Sequence, residues 1–180
     1  PHPFEFETAG LFFGRARRTA ACIERLEQQV ANGKAFLLIY GMSGSGKSSL
    51  LRAGLLPSIT RPDTMAGIKL WRRCLIRPSD ATDAVASLAA GLLREGALPE
   101  LACEPAALAQ LCWSSPDRAL ALVRQAHAKA AAAAGSAPSQ VRLVVAIDQM
   151  EELFTTEAAS RQVLVRLLAA LASSGLAWVI

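Results

Sequence analysis

Apolar residues recur along this chain with two periods, and each change of period marks an element. From Arg15 to Ala31 the positions Ala20, Ile23, Leu26 and Val30 fall at helical spacing. Asn32-Gly33 stops that helix, since both residues tolerate positive φ. Ala35 to Tyr40 (AFLLIY) is a short continuous apolar run, which predicts a strand buried on both faces, the parallel-sheet kind. GMSGSGKS follows at once, and SLLRAGLL continues as a helix until Pro57. Ile68 to Ile76 predicts a second strand, with Arg72 and Arg73 placing it at or near a sheet edge. Pro78-Ser79-Asp80 is read as the cap of a helix over Ala81 to Arg94. Pro105 to Cys112 and Pro116 to Ala134 predict two more helices with proline near their starts. The alanine-rich run that follows has low complexity, and Gly135 to Gln140 is expected to be a flexible loop. Val141 to Asp148 (VRLVVAID) is a third apolar strand, Glu157 to Ser173 an amphipathic helix, and Leu176 to Ile180 a last strand. Strands alternating with helices predict an α/β fold with a parallel sheet flanked by helices. Residues 1–34 form an N-terminal lead-in and helix, and residues 35–180 the core.

Composition narrows the class. At 180 residues, 52% hydrophobic and 19% charged, the chain suits one domain with a real core and excludes disorder. A net charge of +4 is mildly basic. The arginines stand in small groups with no continuous stripe, so no nucleic-acid partner is implied. Cys22, Cys74, Cys103 and Cys112 have no CxxC spacing and, with only His2 and His127, assemble no zinc site. All four are read as reduced, cytosolic thiols. No apolar run reaches the roughly 18 residues of a membrane helix, and the acids near the N-terminus fit no signal peptide. A cytoplasmic protein is expected. The chain begins at Pro1 without Met, as an excised piece would.

The chemistry concentrates in two motifs. Gly41-Met42-Ser43-Gly44-Ser45-Gly46-Lys47-Ser48 fits GxxxxGKS, the Walker A pattern of a P-loop NTPase. Triphosphate oxygens need several N–H donors converging from one side, and glycines let a backbone curl around them. A helix starting near Lys47 adds its free amides and positive dipole end. Lys47 then meets the β and γ phosphates, the Ser48 hydroxyl ligates Mg²⁺, and Ser49 offers an amide to the α phosphate. Asp148, closing an apolar strand, matches Walker B and is expected to hold the metal through water and to accept from Ser48. Glu151 and Glu152 follow. If the chain turns helical after Asp148, Glu151 shares its face and becomes the water-polarising base, with Glu152 in reserve. Two helix N-terminal acids serving the dipole are the plainer alternative. With no NKxD-type segment for guanine, adenine is preferred, so the expected ligands are ATP or ADP with Mg²⁺.

PFEFETAGLFFGR, GMSGSGKSSLLRAGLLP and VVAIDQMEELFT together resemble the STAND class of signalling NTPases, and more narrowly the bacterial group called novel STAND NTPases. The resemblance covers nearly the whole chain, and its specific parts are these three motifs. It implies an ASCE-type P-loop core and an ATP-dependent switch in signalling or defence. It also implies self-association in the full-length parent, and sensor and effector domains outside this chain. The related NACHT group carries an acid three residues after the magnesium aspartate, which matches Glu151. Gly14-Arg15 matches the family's GR pair, which puts Arg15 near the adenine or ribose. Ala16-Arg17-Arg18 departs from the family, where an acid is usual, and Met150 stands where Phe is common. The chain stops at Ile180, within the strand that would lead to a sensor arginine, so a C-terminally truncated core is expected, one that binds nucleotide without efficient turnover. A P-loop small-molecule kinase, a fragment of an AAA-like motor ATPase and an adaptor with a vestigial nucleotide site are the competing classes.

Overall fold

The computed structural model describes residues 16–61 and 65–180. Its centre is a parallel sheet of β1 (Leu70–Ile76), β2 (Val141–Ile147) and β3 (Ala177–Val179), in the order β1-β2-β3. The Ala35–Leu37 segment continues the sheet beyond β3. Val179 N donates to Ala35 O at 2.8 Å, Leu37 N donates to Val179 O at 2.9 Å, and Phe36 and Val179 form one parallel bridge. The expected strand over 35–40 is therefore reduced to a single bridge. Nor is it buried on both faces. Ala35 and Leu37 are buried, whereas Phe36, Leu38 and Tyr40 are exposed. Strand side chains alternate in direction, and the second face is only partly covered, Phe36 sharing a pocket with Val165, Leu168 and Ala172.

β2 shows why its sequence is apolar throughout. Leu143, Val145 and Ile147 enter a core shared with α4 (Ala84–Leu92), α5 (Pro105–Ser114), α6 (Pro116–Ala133) and α7 (Ala158–Ser173). Val144 and Ala146 enter a second core on the opposite side, with Leu26 of α1 (Ala16–Ala31) and with Leu51, Leu55 and Ile59. Trp71 and Trp178 meet edge to face there, at 5.1 Å. Helices thus cover the sheet on both sides, as parallel strands require.

The chain after the glycine loop is helical in three segments: α2 (Lys47–Ser49), a π-helical stretch (Leu50–Leu55) and α3 (Leu56–Ile59). It does not stop at Pro57 as expected. Proline lacks an N–H and its ring collides with the carbonyl four residues back. A wider π turn just before it lets the helix pass. The helix expected from Ala81 instead starts at Ala84. Asp83, not Asp80, is its cap, accepting from Val85 N at 2.8 Å and Ala86 N at 2.9 Å. Pro78–Asp80 forms only one 3₁₀ turn. The end of the alanine-rich loop is likewise ordered, as a 3₁₀ turn over Pro138–Gln140.

Gly91 sits in a close approach between α4 and β1. A Cβ there would lie 2.2 Å from Ile76 Cγ2 and 3.0 Å from Cys74 Sγ. Gly91→Ala gains about 1 kcal/mol of helix propensity but overpacks the core at about 1–3 kcal/mol. The variant is expected to melt at a lower temperature in a calorimetric scan.

His127 is buried on α6 and donates through Nε2 to Val141 O at 3.1 Å. Burial pushes its pKa below the ordinary 6.5; the hydrogen bond to Val141 opposes this and the nearby Arg142 charge reinforces it. The unfolded chain therefore takes up this proton first as pH falls. The stability from a neutral His127 is complete above 6.5 and is lost as pH falls through the depressed folded value. Melting temperatures measured from about pH 8 down to about pH 5.5 are expected to fall in the parent and to fall less in His127→Gln.

Candidate functional site

The site lies at the carboxyl end of the strands, where open parallel sheets bind their ligands. Two glycines shape the loop between the Ala35–Leu37 segment and α2. Gly44 has φ 76° and Gly46 has φ 80°, left-handed values that a Cβ disfavours. Ser45 N donates to Met42 O, closing the turn. Gly46 is the N-cap of α2, so the amides of the first helical turn face the loop. Lys47 folds back over it, donating Nζ to Gly41 O at 3.0 Å and to Met42 O at 3.3 Å.

Asp148 follows β2 directly and is buried. Its N–H donates to Ile76 O at 2.9 Å, continuing the β1–β2 ladder one step beyond the strands. Oδ1 accepts from Ser48 Oγ at 2.7 Å and Oδ2 from Arg52 Nε at 2.9 Å. Arg77 Nε lies 3.8 Å from the same Oδ2. One buried carboxylate thus joins the loop helix to the tips of two strands.

A cavity of about 480 Å³ opens in front of these groups, within the usual size of ligand pockets. Of the expected phosphate-loop residues, Ser43, Gly44, Gly46, Lys47, Ser48 and Ser49 line it. Asp148, Gln149, Glu151 and Arg77 line it from the strand side. Gly41, Met42 and Ser45 do not line the cavity; they carry the loop's turn and the carbonyls that hold Lys47. Arg15 lies outside the described residues, with the whole FFGR segment.

The two acids part company. Glu151 is exposed at the cavity, whereas Glu152 does not line it and accepts from Ser79 N at 3.2 Å through Oε2. The helical-face argument for Glu151 fails in its simple form. Gln149 takes a left-handed conformation at φ 57°, and only then does a 3₁₀ turn run over Met150–Phe154. The left-handed residue reverses the backbone between Asp148 and the acids, so no single helix carries both.

The donors suit a hard divalent cation. Among the described residues no cluster of three or more His, Cys, Asp or Glu could enclose a metal. One carboxylate and one hydroxyl, Asp148 and Ser48, are what Mg²⁺ uses when substrate phosphates and water complete its shell.

Sequence reasoning singled out neither Arg52 nor Arg77. Both had a signal. Arg52 stands four residues after Ser48 on the same helix face. Arg77 follows Ile76, whose register partner is Ile147, so Arg77 and Asp148 occupy matching strand tips.

The four cysteines are free. Burial pushes the Cys74 thiol up to about 12 and Cys112 to about 11. No helix among the described residues is long and apolar enough to cross a membrane.

A parallel sheet covered by helices on both sides, with a glycine loop and a strand-tip carboxylate at its carboxyl end, defines an NTPase-like α/β domain. The chain belongs to the Novel STAND NTPase 1 family, whose family model matches residues 2–180. No curated protein and no solved structure matches the chain.

Proposed function

We propose that this domain binds ATP with Mg²⁺ as the nucleotide switch of a STAND-type signalling NTPase in bacterial signalling or defence. The observation that carries the reading is the bond between Ser48 and Asp148 beside a glycine loop that opens into a helix. The loop amides and the start of α2 present converging donors and a positive dipole end to a polyphosphate. Lys47, now on the loop's own carbonyls, turns its ammonium to the β and γ phosphates. Ser48 and Asp148 would hold Mg²⁺, which when bound would neutralise phosphate charge. Ser49 offers an amide to the α phosphate, and Arg15 is assigned to the base or ribose. The spatial order, with β3 between the P-loop segment and β2, supports an ASCE-type core.

For hydrolysis, Glu151 is the candidate that faces the cavity and is open to water, so it is assigned the role of polarising the attacking water. Glu152 is assigned to bracing the Pro78–Asp80 turn. In the full-length parent, exchange of ADP for ATP would drive self-association, with sensor and effector domains supplied from outside this chain.

Lys47→Ala is expected to lower Mg-ATP affinity at least about tenfold while leaving the circular dichroism spectrum unchanged. A calorimetric titration with unaltered affinity in the folded variant removes the phosphate role of the loop. Glu151→Gln in the full-length parent is expected to keep nucleotide affinity and to slow phosphate release by about a hundredfold or more. Equal turnover in parent and variant removes Glu151 as base.

A further inference from the structure

The carboxylate of Asp148 faces more positive charge than it can pair. Oδ1 is taken by the Ser48 hydroxyl and Oδ2 by Arg52 at 2.9 Å, while Arg77 Nε approaches that same Oδ2 only to 3.8 Å. That distance is too long for a hydrogen bond. Arg77 Nε is buried and has no hydrogen-bond partner among the described residues. A buried donor left unpaired is uncommon in a folded protein and calls for a cause.

The backbone around Arg77 is fixed from several directions. Pro78 restricts Arg77 to extended geometry, observed at φ −116° and ψ 147°. Arg77 N donates to Asp80 Oδ2 at 2.9 Å, and Glu152 Oε2 ties the neighbouring Ser79 amide to the loop after Asp148. The side chain, about a third exposed, lines the same cavity as Lys47, Ser48 and Glu151. A firmly based, incompletely paired guanidinium thus stands at the cavity wall, across the strand tips from the phosphate loop. Its fork matches the oxygens of a phosphate group.

Resting on the nucleotide reading above, we propose that Arg77 contacts the terminal phosphate of a bound nucleoside triphosphate and makes the site distinguish triphosphate from diphosphate. A metal held by Ser48 and Asp148 would neutralise phosphate charge there, so these two residues mark the far end of the phosphate chain. The loop amides and Lys47 hold the phosphates on the near side of that point. Arg77 stands on the far side, beyond Asp148, where a diphosphate offers no group to meet it. With a triphosphate present, Arg77 exchanges its long contact with Asp148 for direct bonds to the γ oxygens. Arg52 keeps Asp148 in place meanwhile.

The test compares Mg²⁺ complexes of ADP and of a non-hydrolysable ATP analogue by calorimetric titration of the chain, with Arg77→Gln, Arg77→Lys and Lys47→Ala alongside. Arg77→Gln is expected to weaken the triphosphate analogue about tenfold and to change ADP less than about twofold. Arg77→Lys keeps the charge without the fork and is expected to fall between, which also serves if the Gln variant does not fold. Lys47→Ala is expected to weaken both ligands. Equal losses for both ligands in the Arg77 variants, or none for either, overturn the proposal. A parent chain that binds neither nucleotide overturns the nucleotide reading, and this inference with it.

Discussion

The hydrogen bond from Ser48 to Asp148 joins residues one hundred positions apart and makes a site out of two separate motifs. A hydroxyl on the first turn of a helix can reach a strand-tip carboxylate only if helix, loop and sheet are all held in place. Each is held by a different part of the chain. Val144 and Ala146 on β2 pack toward Leu51 and Leu55 of the helical stretch after the loop. Leu143, Val145 and Ile147 fix the strand from the other face. The carboxylate is buried, so the bond works in a low-dielectric setting where an unpaired charge is costly. Arg52 meets that demand on the second oxygen. The protein itself supplies both a hydroxyl and a cation to the acid.

Crossing order follows from the same constraint. β3 lies between β2 and the Ala35–Leu37 segment, which sets the glycine loop and Asp148 two positions apart along the sheet's carboxyl edge. The register of β1 against β2 then brings a second strand tip level with Asp148, and Arg77 with it. The Pro78–Asp80 turn and the Met150–Phe154 turn brace one another through Glu152. The strand side of the cavity is therefore a wall of short, interlocked turns, and the helix side a single curved loop.

Much of this was legible from residue order because periodicity and punctuation are local. The α/β alternation, the proline-led helices α5 and α6, the strand before Asp148 and the glycine pattern each follow from a few neighbouring residues. The misreadings came where distant residues decide. The Ala35–Tyr40 run looked buried on both faces, yet only partners elsewhere in the chain can cover a face, and they cover one fully and the other in part. Pro78-Ser79-Asp80 carried cap chemistry, but Asp83 lies closer to the apolar positions that α4 buries and takes the role. The left-handed turn at Gln149 has no strong local signal, since glutamine is not a residue that seeks positive φ. Arg52 went unnoticed because its partner is 96 positions away. The same tertiary dependence explains the helix that passes Pro57: Leu55 and Leu56 before the proline and Ile59 after it are buried, and burial outweighs the lost hydrogen bond.

The contact of Lys47 with the carbonyls of Gly41 and Met42 has a thermodynamic consequence. An ammonium bonded to its own loop keeps that loop curled before anything enters, so little chain entropy remains to be lost on association. In the nucleotide-binding role proposed for the domain, an arriving anion competes with two neutral oxygens for a cation that is already in position. The exchange substitutes a charged partner for dipoles at nearly constant backbone shape. Association would then carry an enthalpic signature weighted toward electrostatics.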